Sequence, residues 1–122
     1  MLNDNGSDIP VLDKSRLEGI VKTLGDRFKL LITCFTTETD DYFSQLTLAY
    51  ISKDHETMER IVHSIKSGSG NLGGKRLWEY AQTLEDDFRA NHLDNAEQQI
   101  SQLRDMYNQF QIELKSYIES NA

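Results

Sequence analysis

The sequence predicts an all-α protein, an antiparallel four-helix bundle with a short N-terminal capping helix, and three observations carry that reading. The single proline is Pro10, so nothing forbids helix from residue 11 onward. Apolar residues recur at spacings of three and four rather than two, which is the period of a helix face. Four of the seven glycines, Gly68, Gly70, Gly73 and Gly74, crowd into one segment, where a bend or break in the helix is expected. With 122 residues, 38% of them hydrophobic, the chain has material for one core and one domain.

Each element follows from its own pattern. A first short helix is expected over about Asp13 to Thr23, with Leu17, Ile20, Val21 and Leu24 on one face and Ser15 with Glu18 as a capping box. The second, from about Asp26 to Ser52, carries Phe28, Leu31, Ile32, Phe35, Tyr42, Phe43, Leu46 and Ala49. Asp54 stands at an N-cap, with Glu56 in the first turn of a third helix bearing Met58, Ile61, Val62 and Ile65. The fourth runs from about Lys75 to Ala90 with Leu77, Ala81, Leu84 and Phe88 as its stripe, and Asn91 and His92 form the turn after it. Asp94 and Glu97 signal the start of a last helix with Ala96, Ile100, Leu103, Tyr107, Phe110, Leu114 and Tyr117. Short connections between these helices imply antiparallel neighbours. Residues 1–12 are expected to be a flexible tail and 13–120 the domain, which reads as free-standing because only that short tail leads into it from Met1 and it ends soon after the last helix.

Charge excludes some functions. Thirteen Lys and Arg against twenty Asp and Glu leave a net charge of −7, which opposes binding to DNA, RNA or anionic lipid. No apolar run approaches the roughly 18 residues of a spanning helix. Cys34 is the only cysteine, so it has no internal partner for a disulfide, and it is expected as a buried thiol in a reducing compartment. A cytoplasmic monomer is the expectation. His55 and His92 have no second histidine at metal spacing and read as surface residues, so no metal site is expected. Trp78 reads as a partly buried packing residue, and Asp40, Asp41, Asp86 and Asp87 as solvated helix faces.

One segment carries chemistry. On a helical wheel Met58, Ile61, Val62 and Ile65 share a stripe, while His63, Lys66, Ser67 and Gly70 gather on a different face. The His63 imidazole therefore points away from the core, with the Lys66 Cβ roughly 5–6 Å from its own. Ser67 and Gly70, further along the same side, are small and leave the ring open to something large. An exposed neutral imidazole is a competent nucleophile, since its unperturbed pKa is about 6.5. A phosphoryl group on it would lie within reach of the lysine ammonium. A histidine and lysine three residues apart are, on their own, ordinary solvated surface. Either Gln82 or Glu85, on the helix after the glycines, is a candidate to reach back and orient the ring.

The whole string HSIKSGSGNLGG resembles the histidine-containing phosphotransfer (HPt) domain family, whose members show a pattern like HxxKGxxxNLG. His63, Lys66, Asn71, Leu72 and Gly73 match it, with Gly70 at one of its open positions, and KRLWEYAQTLE is similar to the family's Leu-rich fourth helix. Ser67 departs from it, standing where glycine is usual. The resemblance extends over nearly all of Val11 to Ile118. It implies a phosphorelay intermediate in which His63 takes a phosphoryl group from an aspartyl phosphate on the receiver domain of a hybrid sensor kinase. His63 then passes the group to the receiver aspartate of a response regulator. Lys66 would stabilise the phosphoryl charge, and Ser67, Gly70 and Asn71 would lie under the docked partner. The chain would need no cofactor of its own, with Mg²⁺ held by the partner receiver. This agrees with the absence of a P-loop or an ATP-binding glycine motif. The competing reading is a non-catalytic helical adaptor, which would have no need of the His63, Lys66 and glycine combination.

Overall fold

The computed structural model describes residues 9–120. They form five helices: α1 (Lys14–Leu24), α2 (Arg27–Ile51), α3 (His55–Asn71), α4 (Lys75–Arg89) and α5 (Ala96–Ser120). No strand occurs among the described residues. Short acidic side chains start two of the helices. Asp54 caps α3 as expected, accepting from the Thr57 backbone N–H at 3.2 Å and from the Thr57 hydroxyl at 2.6 Å. At α1 the cap is Asp13, whose Oδ1 accepts from the Arg16 N–H at 3.2 Å, so the Ser15 and Glu18 pair lies inside the helix rather than at its cap.

The break expected in the glycine segment falls at its far end, between Asn71 and Lys75. α3 does not break at Gly68 but runs through Gly68 and Gly70 to Asn71. The reason is close packing: a Cβ at Gly70 would lie 2.7 Å from Trp78 Cδ1, and one at Gly68 3.2 Å from the Phe35 ring. Each glycine lowers helix propensity by about 1 kcal/mol, and the approach of α2 and α4 to the bare backbone offsets that loss. The chain turns only at Gly73, whose φ of +75° suits glycine and whose Cβ would sit 2.9 Å from the Asp13 carbonyl oxygen. There the Asp13 N–H donates to the Gly73 carbonyl at 2.7 Å, which fixes the start of α1 beside the α3–α4 turn.

α3 packs against α2 and α4, α5 against α4 and α2, and α1 against α2. Phe43, Leu46, Met58, Val62, Ile65, Leu84, Phe88, Leu103, Tyr107 and Phe110 are fully buried between them. Each such side chain contributes about 1.5–3 kcal/mol of transfer free energy. Phe35 meets Phe110 edge-on with ring centroids 5.7 Å apart. The Tyr107 hydroxyl donates to Asp40 Oδ1 at 3.0 Å, joining α5 to α2.

Three expectations about burial are corrected. Leu31 is 37% exposed rather than core. Cys34 is exposed, because the buried face of α2 follows Phe28, Phe35, Thr39, Phe43 and Leu46, and position 34 lies a residue off it. Of the segment expected to be a flexible tail, residues 1–8 lie outside the described residues, while Val11 and Leu12 are buried in the core. The Ile9 carbonyl accepts from Arg76 Nε at 2.8 Å.

Candidate functional site

Because α3 turns Met58, Ile61, Val62 and Ile65 inward, its opposite side carries His63, whose side chain is 59% exposed. α4 supplies the counterpart. Leu77, Ala81, Leu84 and Phe88 bury its stripe, and Glu85, within that stripe, is only 4% exposed. Its carboxylate meets α3 at two points: Oε2 lies 2.8 Å from His63 Nδ1, and Oε1 lies 2.5 Å from Lys66 Nζ. Lys66 also donates to Gln82 Oε1 at 3.0 Å. From the next turn of α4, Arg89 Nη2 donates to the same Glu85 Oε2 at 3.1 Å, while Arg89 Nε donates to Glu59 Oε2 at 2.8 Å.

Burial pushes the Glu85 carboxyl upward, but hydrogen bonds from Lys66 and His63, with the charge of both, hold it below the ordinary carboxylate range. An ionised carboxylate can only accept, so the His63 proton sits on Nδ1 and the lone pair of the neutral ring is on Nε2, away from Glu85. The geometry thus presents one nucleophilic nitrogen to solvent, its tautomer fixed from behind by a buried anion.

His63, Lys66, Ser67, Gly70 and Asn71 border one shallow depression of about 380 Å³, so the five residues predicted as a site stand together. Trp78 forms part of its wall, half-buried, with the Lys66 ammonium 5.8 Å from its ring centroid. Lys66 is not a free surface cation: its side chain is 15% exposed and is held by Glu85 and Gln82. Both candidates for reaching back are used, Glu85 on His63 and Gln82 on Lys66. Arg89 was not anticipated, though its spacing of four from Glu85 is a signal for the ion pair. His55 lies outside the site, its Nδ1 3.0 Å from the Phe88 carbonyl oxygen. No group of three or more His, Cys, Asp or Glu suited to a metal occurs among the described residues.

Residues 30–113, more than half of the chain, match the family model of the Hpt domain. The chain belongs to the Hpt domain family. Among curated proteins it is 28% identical over 94 residues to the phosphorelay protein LuxU of Vibrio harveyi, covering 76% of this chain and 82% of that one. Among solved structures it is similar to histidine-containing phosphotransfer protein B of Pseudomonas aeruginosa PAO1, with a TM-score of 0.85 and 25% identity over 91% of this chain and 96% of that one. The fold is shared with the histidine-containing phosphotransfer protein MtHPt2 of Medicago truncatula, with a TM-score of 0.77 and 18% identity over 89% of this chain and 78% of that one. As an Hpt protein the chain is a phosphoryl carrier of a phosphorelay, and receiver domains are the partners of that function. No helix among the described residues is long and apolar enough to cross a membrane.

Proposed function

We propose that His63 Nε2 is the phospho-acceptor of this Hpt domain, and the observation that carries the reading is the exposed imidazole held through Nδ1 by buried Glu85. The Nε2 lone pair attacks the phosphorus of an aspartyl phosphate on the receiver domain of a hybrid sensor kinase. The bond from phosphorus to the aspartyl oxygen breaks, and its electron pair leaves on the carboxylate. The ring, still protonated on Nδ1, gains positive charge as the N–P bond forms, and the Glu85 carboxylate 2.8 Å away stabilises it. Transfer to the aspartate of a response regulator is the same step reversed. Lys66 lends charge to the phosphoryl oxygens, and Ser67, Gly70 and Asn71 form the floor on which the partner rests.

The reaction asks little more of this chain, since phosphoryl transfer depends on positioning and charge. We assign Mg²⁺ to the partner receiver, no ATP site to this protein, and a cytoplasmic monomer as its working form. Residues 13–120 are the Hpt unit, with α2 to α5 as an antiparallel four-helix bundle and α1 capping it. The test is His63→Gln, an exposed polar change that should alter stability by no more than about 0.5 kcal/mol. Incubated with a phosphorylated receiver, the variant should melt as the wild type does and take up no acid-labile phosphate. Label retained by a folded variant would overturn the assignment.

A further inference from the structure

Three cationic side chains, Arg16, Lys66 and Lys75, border the depression that holds His63, in a chain of net charge −7. Lys66 is engaged by Glu85 and Gln82. Arg16 of α1 donates from Nε to the Asn71 carbonyl at 3.3 Å, and Lys75 opens α4. The Nη groups of Arg16 and the Nζ of Lys75 have no hydrogen-bond or ion-pair partner among the described residues. The one carboxylate bordering the depression, Asp13, accepts from the Arg16 backbone N–H. Two unpaired cations thus border a site in which acidic residues are otherwise sparse.

Their distance from the imidazole decides their role. Asn71 lies eight residues beyond His63 on one helix, a rise of about 12 Å, so cations at that level are too far away to grip a phosphoryl group on Nε2. They lie instead where the body of a docked partner must rest if its aspartate is to meet His63 in line.

We propose that Arg16 and Lys75 form an electrostatic docking and selection site for the receiver domain, fitting acidic side chains that lie about 10–15 Å from its phospho-accepting aspartate. This rests on the His63 reading, and it adds what that reading lacks, a means of choosing among receivers. Opposite charge raises the encounter rate of matching partners by tenfold or more at low salt, and like charge rejects others.

The experiment uses Lys75→Glu, Arg16→Gln and the double variant. Lys75→Glu places an acid in the first turn of α4, where the helix dipole favours it, so the fold is kept. Arg16→Gln removes charge at similar length, and circular dichroism melting checks both. Receiver domains from the source genome, charged with acetyl phosphate, are tested for the second-order rate of His63 labelling from low to about 1 M salt. Phosphoramidate, which breaks its own P–N bond and releases ammonia as it phosphorylates histidine, gives a rate independent of any receiver. The double variant should lose about tenfold or more in rate at low salt, the loss should close as salt rises, and phosphoramidate labelling should not change. An unchanged rate with a receiver that labels the wild type overturns the docking site and leaves the His63 reading standing. So does a deficit that persists at high salt, since that is not an effect of charge. If no receiver labels the wild type, the reading and the proposal fall together.

Discussion

At the scale of single residues the site turns on Glu85, a carboxylate taken out of water and compensated by three donors, His63, Lys66 and Arg89. Glu85→Gln still offers His63 an oxygen but loses the charge that, in the proposed reaction, steadies the phosphorylated ring. Transfer should slow by about tenfold to a hundredfold, read by rapid quench with a phosphorylated receiver. Stability should fall by about 1–3 kcal/mol as Lys66 and Arg89 lose the negative charge between them and one carboxylate oxygen becomes an amide NH₂ that cannot accept. The loss depends on pH. Because the folded carboxyl lies below its ordinary value of 4.5, Glu85 stabilises the protein above that pH, and its contribution disappears as pH falls through the lower folded value. The difference in melting temperature between wild type and Glu85→Gln is therefore full at neutral pH and shrinks below about pH 4.5. A difference that stayed constant down to pH 3 would falsify the ion-pair account. Lys66→Ala removes the nearest cation from Glu85 but leaves the nucleophile in place, so transfer with the same receiver should slow without stopping.

At the scale of elements, α3 shows what glycine does inside a helix. Gly70→Ala raises helix propensity by about 1 kcal/mol, yet its methyl group would stand 2.7 Å from Trp78 Cδ1, so the indole must shift. Overpacking of this kind costs about 1–3 kcal/mol. Gly19→Ala in α1 meets nothing within 4 Å and should stabilise by about 0.5–1 kcal/mol. The two alanines are thus expected to move the melting temperature in opposite directions. Only the first should alter the emission of Trp78, the single tryptophan. The contrast also explains what was legible beforehand. The five helices and the outward face of His63 are written in local spacing, because the stripe of each helix depends only on its own residues. The continuation of α3 past Gly68 is not, because it depends on Phe35 and Trp78 from two other helices. The partner of His63 is likewise 22 residues away on α4. Its trace in the sequence was an acid set within the stripe of Ala81, Leu84 and Phe88. Leu31 lies outside the core because the apolar pattern of α2 is broader than the face it buries, and the exposure of Cys34 is a matter of helical position, on which a cysteine count says nothing.

At the scale of the whole molecule, an acidic protein with an open imidazole must still be approached by a partner large enough to carry an aspartyl phosphate. Two stages are separable, encounter and close contact. Charge governs the first over distances of about a Debye length, roughly 10 Å at 0.1 M salt. On the proposed reading the second depends on the small floor of the depression, where Ser67, one turn beyond His63, is exposed in the free protein. Ser67→Arg should therefore fold normally, its melting temperature within the range of a surface change of about 0.5 kcal/mol. Its added cation does nothing to repel an acidic partner, but the long side chain occupies ground that the partner needs, and an error of about 1 Å in approach already costs on the order of a hundredfold. Transfer should drop at every salt concentration, whereas the deficit of Lys75→Glu should vanish as salt rises. Ser67→Gly, which keeps the floor clear, should retain transfer while losing up to about 1 kcal/mol of helix stability. Melting curves run beside transfer assays across a salt series read all three variants. A folded Ser67→Arg protein with undiminished transfer would remove this face from the contact.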